Sequence, residues 1–447
     1  MHKLVENTGW LLADKISRLF PGILVLALLA RHLGPGTFGI WSYTIAVSAI
    51  MGSIAILGMD KLIIKELMAE QDTRTTVTTI LFIRITAAML CMILSIVLVY
   101  LMNPNPVYLL CICFSSTTIL FQSFDVMDGY YQVSKSLKTV IVPKVTMFLT
   151  FSACRLIAVF LNAGLVVFLA LAALELACAY SWILYRYLRH TTLHPRFINF
   201  KMAGKLLRDS WVLILGGLVV VLFMKVDNVL LNFLSTPAEL GNYVVAIRIS
   251  ELWYALPTVI STAMLPILFK KKSEGQTVYL RTLEKWLRAS GVISTILALG
   301  ISITARPLLF WLYGSAYVNA GAILQIHIWA VIPVFLMMVL VQYLFVESRY
   351  KLYLYGNVAG LIVNIILNII LIPTIGGKGA AIATVAAYST VFITTVLLDS
   401  SRQAILLSWK MLYPARIYAD AAEGLTLLRR RFSKQLFLHP NNPLADE

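Results

Sequence analysis

Runs of about twenty apolar residues, broken by short polar turns, recur along nearly the whole chain. A bilayer core about 30 Å thick is crossed by a helix of about 20 such residues. The pattern predicts about twelve spans, near 9–31, 39–59, 76–102, 107–129, 140–161, 164–185, 210–233, 241–268, 288–312, 319–346, 353–373 and 378–400. The turns between them carry helix-breaking residues: Asn103-Pro104-Asn105-Pro106, Asn162-Ala163-Gly164, Ser235-Thr236-Pro237 and the stretch from Pro373 to Gly379. No small-residue cleavage site follows a clean apolar core near the N-terminus, so the first run reads as a retained span.

Composition agrees. The 447 residues are 60% hydrophobic and 13% charged, against about 25% charged in soluble proteins. The 37 Lys and Arg outnumber the 21 Asp and Glu, but the excess sits where a membrane protein places it. Twenty-seven lie in the tails and alternate loops that share a side with the N-terminus, three (Arg31, Arg306 and Lys378) in the opposite loops, and seven inside spans. That asymmetry predicts both termini in the cytoplasm and argues against a nucleic-acid partner. Cys91, Cys111, Cys113, Cys154 and Cys178 all fall in apolar runs, with no spacing for a disulfide or a zinc site. No P-loop or nucleophile elbow is present, Gly376-Gly377-Lys378-Gly379 lacking the required spacing. The outward loops are too short to carry an enzyme's active site, so the chain reads as a non-enzyme without metal or cofactor.

The intramembrane charges change the picture most. Lys15, Arg18, Arg84, Lys144, Arg155, Lys225 and Arg248 face four acids read as clearly intramembrane, Asp14, Glu175, Asp227 and Glu251. A cation at the bilayer centre costs about 3 kcal/mol, so these side chains should face water, a ligand or a partner. Their surplus points to an anionic ligand. Arginine suits a diphosphate, because its planar fork contacts two oxygens at once. Arg18, Arg84, Arg155 and Arg248 are therefore the candidate substrate contacts, with Lys225 and Lys144 next. Asp14, Glu175, Asp227 and Glu251 are candidates for coupling-ion binding (H+ or Na+) or for charge pairing. The competing structural pairs are Asp14–Arg18, Lys225–Asp227 and Arg248–Glu251, with Glu175 the partner expected for Arg155. Trp41, Tyr43, Trp253, Tyr254 and Trp311 can stack on sugars or form an interfacial belt.

A central loop divides the chain into an N-terminal six-helix lobe (1–190), a linker (191–209), a C-terminal six-helix lobe (210–400) and a basic amphipathic tail (401–447). Leu33-Gly34-Pro35 leads to Gly39 and Trp41, and Leu234-Ser235-Thr236-Pro237 leads to Gly241 and Tyr243. The pattern Pro-x-x-x-Gly-x-aromatic thus recurs at an offset of 202 residues, as in parallel repeats about an axis along the membrane normal.

At these residues the chain resembles a family. Asp14-Lys15-x-x-Arg18, then Ala30-Arg31-His32-Leu33-Gly34-Pro35-Gly36-Thr37-Phe38-Gly39, resembles the opening of Wzx-type O-antigen flippases. These belong to the polysaccharide-transporter branch of the multidrug/oligosaccharidyl-lipid/polysaccharide exporter superfamily. Leu57-Gly58-Met59-Asp60, Lys65-Glu66, Asp227 to Leu231 and Glu239 to Tyr243, with Ala246 and Glu251, extend the likeness through the spans. It implies an all-α polytopic protein of two lobes with a V-shaped central cationic cavity. It further implies a monomer of the bacterial inner membrane that exports an undecaprenyl-diphosphate-linked oligosaccharide, with other O-antigen assembly proteins as possible partners. Arginines in the first and eighth spans serve related lipid II flippases, and Arg18 and Arg248 correspond by span. The competing readings are a multidrug antiporter, which calls for a net acidic cavity, and a non-transporting scaffold of glycan assembly.

Overall fold

The computed structural model of the chain describes residues 2–69, 72–134 and 137–411, with side chains from Ser17 onward except at positions 19, 20, 60, 61, 212 and 409–411. Among the described residues there are helices and turns and no strand. In hydrocarbon every backbone polar group must be satisfied within its own segment, and a helix does this alone. The helices are α1 (His2–Ala55), α2 (Asp60–Ala69), α3 (Thr73–Met102), α4 (Pro106–Gln122), α5 (Val126–Val133), α6 (Lys138–Phe160), α7 (Leu165–Leu188) and α8 (Phe200–Leu234). They continue with α9 (Pro237–Leu252), α10 (Ala255–Glu274), α11 (Gln276–Tyr313), α12 (Val318–His327), α13 (Val331–Val346), α14 (Lys351–Ile375), α15 (Gly377–Leu398) and α16 (Gln403–Met411).

Eleven segments among the described residues are long and apolar enough to span a membrane. The twelve expected become eleven because the spans predicted near 9–31 and 39–59 run together as α1, which is two helices meeting at a kink. Gly34 breaks it with φ 72° and ψ 165°, and Pro35 starts the second limb. A glycine adopts positive φ without strain and a proline fits the first helical turn, so two residues make the whole corner. Elsewhere the punctuation acts as expected. Asn105 caps α4 ahead of Pro106, and Asp72 caps α3 through the amides of Arg74 and Thr75.

The chain packs as two compact units that do not follow chain order. One comprises Met1–Ser250, Ser302–Ile328 and Asn357–Ala387; the other comprises Glu251–Ile301, Trp329–Gly356 and Tyr388–Glu447. In the first unit α1 packs on α4, α6 and α8, and α6 on α7. Its core joins Met59, Ile63, Val77, Ile80, Val126 and Ile183. Helix α3 shows how a span divides its faces: Ala88, Cys91 and Ser95 are buried, while Leu90, Ile93 and Leu94 are exposed, as lipid contact requires.

In the second unit α10 packs on α13. Gly356 lets α14 approach α15, where an added Cβ would lie 2.4 Å from Thr395 Oγ1. Asp399, just beyond α15, accepts from the Ala404 amide, the Ser401 and Tyr343 hydroxyls and Arg349. Burial pushes its carboxyl up, but these donors outweigh burial and hold it below the usual carboxylate range. Most of the predicted basic amphipathic tail, from residue 412 onward, lies outside the described residues.

Candidate functional site

Two groups of charge inside the spans stand out, one partly buried in the first half of the sequence and one buried in the second. In the first half, Lys144 on α6 reaches Asp125 at 3.0 Å and Asp128 at 2.5 Å. Tyr180 on α7 donates to Asp125 at 2.5 Å, and its ring lies 4.7 Å from the ammonium. Asp125 sits in the turn between α4 and α5, and Asp128 on α5. Both fall near the end of the apolar segment Pro106–Val133, beyond the four acids that the sequence marks as clearly intramembrane. Lys144, expected to contact substrate, has two carboxylates for company.

In the second half, Asp227 on α8 is 4% exposed and its partners are neutral. Tyr243 on α9 donates at 2.6 Å, Thr384 on α15 at 2.7 Å and Asn368 on α14 at 2.7 Å. The expected Lys225 pairing is not what holds it: residues two apart on a helix do not face each other. Asn364 lies one turn before Asn368, whose amide nitrogen donates to both the backbone carbonyl and the side-chain oxygen of Asn364. Asn364 and Asn368 are fully buried, and Asn368 Oδ1 has no hydrogen-bond partner among the described residues. His327 on α12, also buried, sets its ring edge-on to Tyr243 at 6.1 Å.

A buried carboxylate without a cation is expensive, costing several kcal/mol even after hydrogen bonding. Carboxylate, amide and hydroxyl oxygens are the donor set that hard cations take. The orphaned Asn368 oxygen beside Asp227 fits the same chemistry, and so does protonation of Asp227 itself.

The remaining predicted residues divide by environment. Arg155 on α6 pairs with Glu175 on α7 at 2.7 Å, the partner expected from the sequence. Arg84 on α3 is fully enclosed. The Arg18 guanidinium lies 5.6 Å from the centre of the Phe148 ring, within cation–π range. Lys225 and Glu251 are half-buried and Arg248 is exposed. The side chains of Asp14 and Lys15 lie outside the described residues.

A cavity of about 550 Å³ opens at the turns leading into α9 and α15, walled by Thr236, Glu239, Asn319, Ile323, Ile372 and Lys378 among others. Glu239 accepts from the Gly377 amide at 3.0 Å. Gly376, at φ 57°, has no Cβ to obstruct that carboxylate. The glycine run thus serves as a helix-entry turn that fixes an acid.

Sequence reading missed Asp125 and Asp128 because they lie near a span end, where acids are unremarkable. It also missed Asn364, Asn368 and Thr384. The i,i+4 asparagine pair inside an apolar run was the available signal.

These features define the class: an all-α polytopic membrane protein with charge held inside its spans. Residues 4–272 match the family described as polysaccharide biosynthesis protein, and the chain belongs to that family. No curated protein sequence matches it. Its backbone is similar to the lipid II flippase MurJ in an inward closed conformation, with TM-score 0.70 and 13% identity over 93% of this chain and 92% of that one. It is also similar to an inward-facing multidrug resistance MATE family transporter of the MOP superfamily, with TM-score 0.64 and 14% identity over 89% and 95%. The Vibrio cholerae MATE transporter VcmN follows, with TM-score 0.54 and 12% identity over 91% and 100%. At these identities the likeness is one of fold.

Proposed function

We propose that the protein is a flippase that moves an undecaprenyl-diphosphate-linked oligosaccharide, an O-antigen repeat unit, from the cytoplasmic to the outer leaflet of a bacterial inner membrane. It works by alternating access between two lobes about a central cavity, driven by a proton or sodium gradient, with both termini cytoplasmic. Membership of the polysaccharide biosynthesis family supports the substrate class.

The observation that carries the reading is Arg248. It lies in the span Pro237–Glu274, eleven residues beyond its start, and is exposed. At 1.5 Å per residue that is roughly 16 Å in, about half of a 30 Å hydrocarbon core. A guanidinium there costs about 3 kcal/mol against lipid, so the face it occupies is a wet path. An arginine on such a path suits a diphosphate whose lipid tail stays in the membrane. Arg18, Arg84 and Lys225 are the other candidate contacts in this reading. Lys144 and Arg155 move down the order, because each already has a carboxylate. Asp227 is the coupling group.

Reconstituted protein, given a defined lipid-linked glycan and an imposed gradient, tests this directly. Arg248→Ala should lower translocation at least about tenfold at unchanged abundance, the loss expected when a charge-assisted contact is removed. A scaffold would tolerate the change. A multidrug antiporter would be inert toward the glycan and would confer drug resistance.

A further inference from the structure

The recurring Pro-x-x-x-Gly pattern has a contact of its own. The Gly39 backbone lies against Pro237, so that an added Cβ would stand 1.8 Å from the Pro237 carbonyl oxygen and 3.1 Å from the Gly241 nitrogen. The reciprocal contact is present: a Cβ on Gly241 would stand 2.1 Å from the Pro35 carbonyl oxygen. Real Cβ atoms essentially never come within 3.0 Å of such neighbours. Both glycines are buried. Each repeat thus sets its glycine under the other's proline carbonyl, a close backbone approach of the kind that Cα–H···O=C contacts allow.

The reason is visible in the sequence. Each proline opens a helix limb, the second limb of α1 and α9 respectively, and its carbonyl lies one turn before the glycine of its own repeat. Two such turns brought together about a pseudo-two-fold axis interlock only if neither carries a Cβ. Gly36, one residue after Pro35, has nothing within 4 Å of its own hypothetical Cβ. The requirement is therefore specific to the interlocked positions. Neighbouring contacts reinforce the closure: Tyr108 donates to Asn232 at 2.8 Å, Tyr43 meets Phe233 edge-on at 5.7 Å, and Tyr317 donates to the Ala30 carbonyl at 2.7 Å.

We infer that Gly39 and Gly241 are positioning residues of the transport cycle: with Pro35 and Pro237 they form a backbone-to-backbone seal that closes the face of the protein away from its termini, and that parts when cargo leaves. The inference rests on the transport reading but names no cargo. One feature suits a seal over a permanent joint: the contact is backbone on backbone, with no ion pair to break. Tyr243, two residues beyond Gly241 on α9, donates to Asp227, which links the seal to the coupling group through one helix turn.

The test uses the full chain with its five cysteines, Cys91, Cys111, Cys113, Cys154 and Cys178, replaced. A reporter cysteine goes at Ser42 or Val245, both buried within about one turn of the seal. A membrane-impermeant thiol reagent is added from the side away from the termini. Gly39→Ala and Gly241→Ala should speed labelling about tenfold, as destabilising one of two states shifts their populations, while Gly36→Ala leaves it unchanged. Equal labelling in Gly39→Ala and Gly36→Ala overturns the proposal. Should the alanine variants fail to insert, nitroxides at Thr37 and Ala238 report on the seal with both glycines in place. Two distances whose populations shift under an imposed sodium or proton gradient support it, and one fixed short distance in every condition overturns it. Neither readout needs a glycan, so a working seal with failed glycan translocation would sink the proposed cargo alone.

Discussion

The two halves of the chain hold the same pair of residue types, an aspartate hydrogen-bonded by a tyrosine, to opposite effect. Around Asp125 and Asp128 the protein supplies its own cation, Lys144, and Tyr180 completes a cluster held by charge. Around Asp227 the donors among the described residues are neutral, Tyr243, Thr384 and Asn368. The first group has a counter-ion already in the chain. The second has a buried negative charge to satisfy and oxygen atoms with which to do it. An intramembrane carboxylate of the second kind can exchange a proton or a sodium ion, whereas one paired with lysine already has a counter-charge in the chain.

Substitutions at the two sites should diverge. Lys144→Met leaves two neighbouring carboxylates without their cation in a partly buried cluster, which destabilises the fold. The expected outcome is loss of folded protein, seen as a thermal transition well below that of the parent in detergent. Asp227→Asn should do the reverse. It removes an unpaired buried charge, so stability holds or rises, while gradient-driven transport falls at least about tenfold through loss of coupling. If Asp227→Asn unfolds the protein and Lys144→Met is silent, the contrast between the sites is wrong.

The tyrosines refine the comparison. A hydrogen bond to a charged group contributes about 1.5–3 kcal/mol. Tyr180→Phe should therefore appear mainly as a lowered melting temperature. Tyr243→Phe should appear mainly as a changed concentration of sodium or protons for half-maximal transport.

The smallest effect is expected at Asp399, outside the spans. Its carboxyl is lower in the folded protein than the unfolded value near 3.9. It therefore adds stability above that pH, lost as pH falls through the folded value. Melting profiles between about pH 3 and 7 should lose this acid-side slope in Asp399→Asn.

Much of this was legible in the sequence, for physical reasons. Spans follow from apolar length, and the break near Gly34 from its Gly-Pro pair. Arg155 and Glu175 were matched because few acids lie at that depth. What stayed hidden depends on contact between distant segments. Asn364, Asn368 and Thr384 are ordinary one by one and become a donor set only when α14 and α15 meet Asp227. Gly39 and Gly241 are legible as members of a repeat, but nothing in the sequence says that the two turns face each other. At Gly34 a single residue with positive φ, followed by Pro35, makes the whole corner between the first two predicted spans.

Gradient-driven transport of a defined undecaprenyl-diphosphate glycan in proteoliposomes, parent against Asp227→Asn, tests the central claim most directly. The account predicts that glycan reaches the opposite leaflet in the parent and accelerates with an imposed sodium or proton gradient, and that the variant loses the acceleration. Gradient-dependent transport that is equal in both proteins, or no glycan movement in the parent, would contradict it.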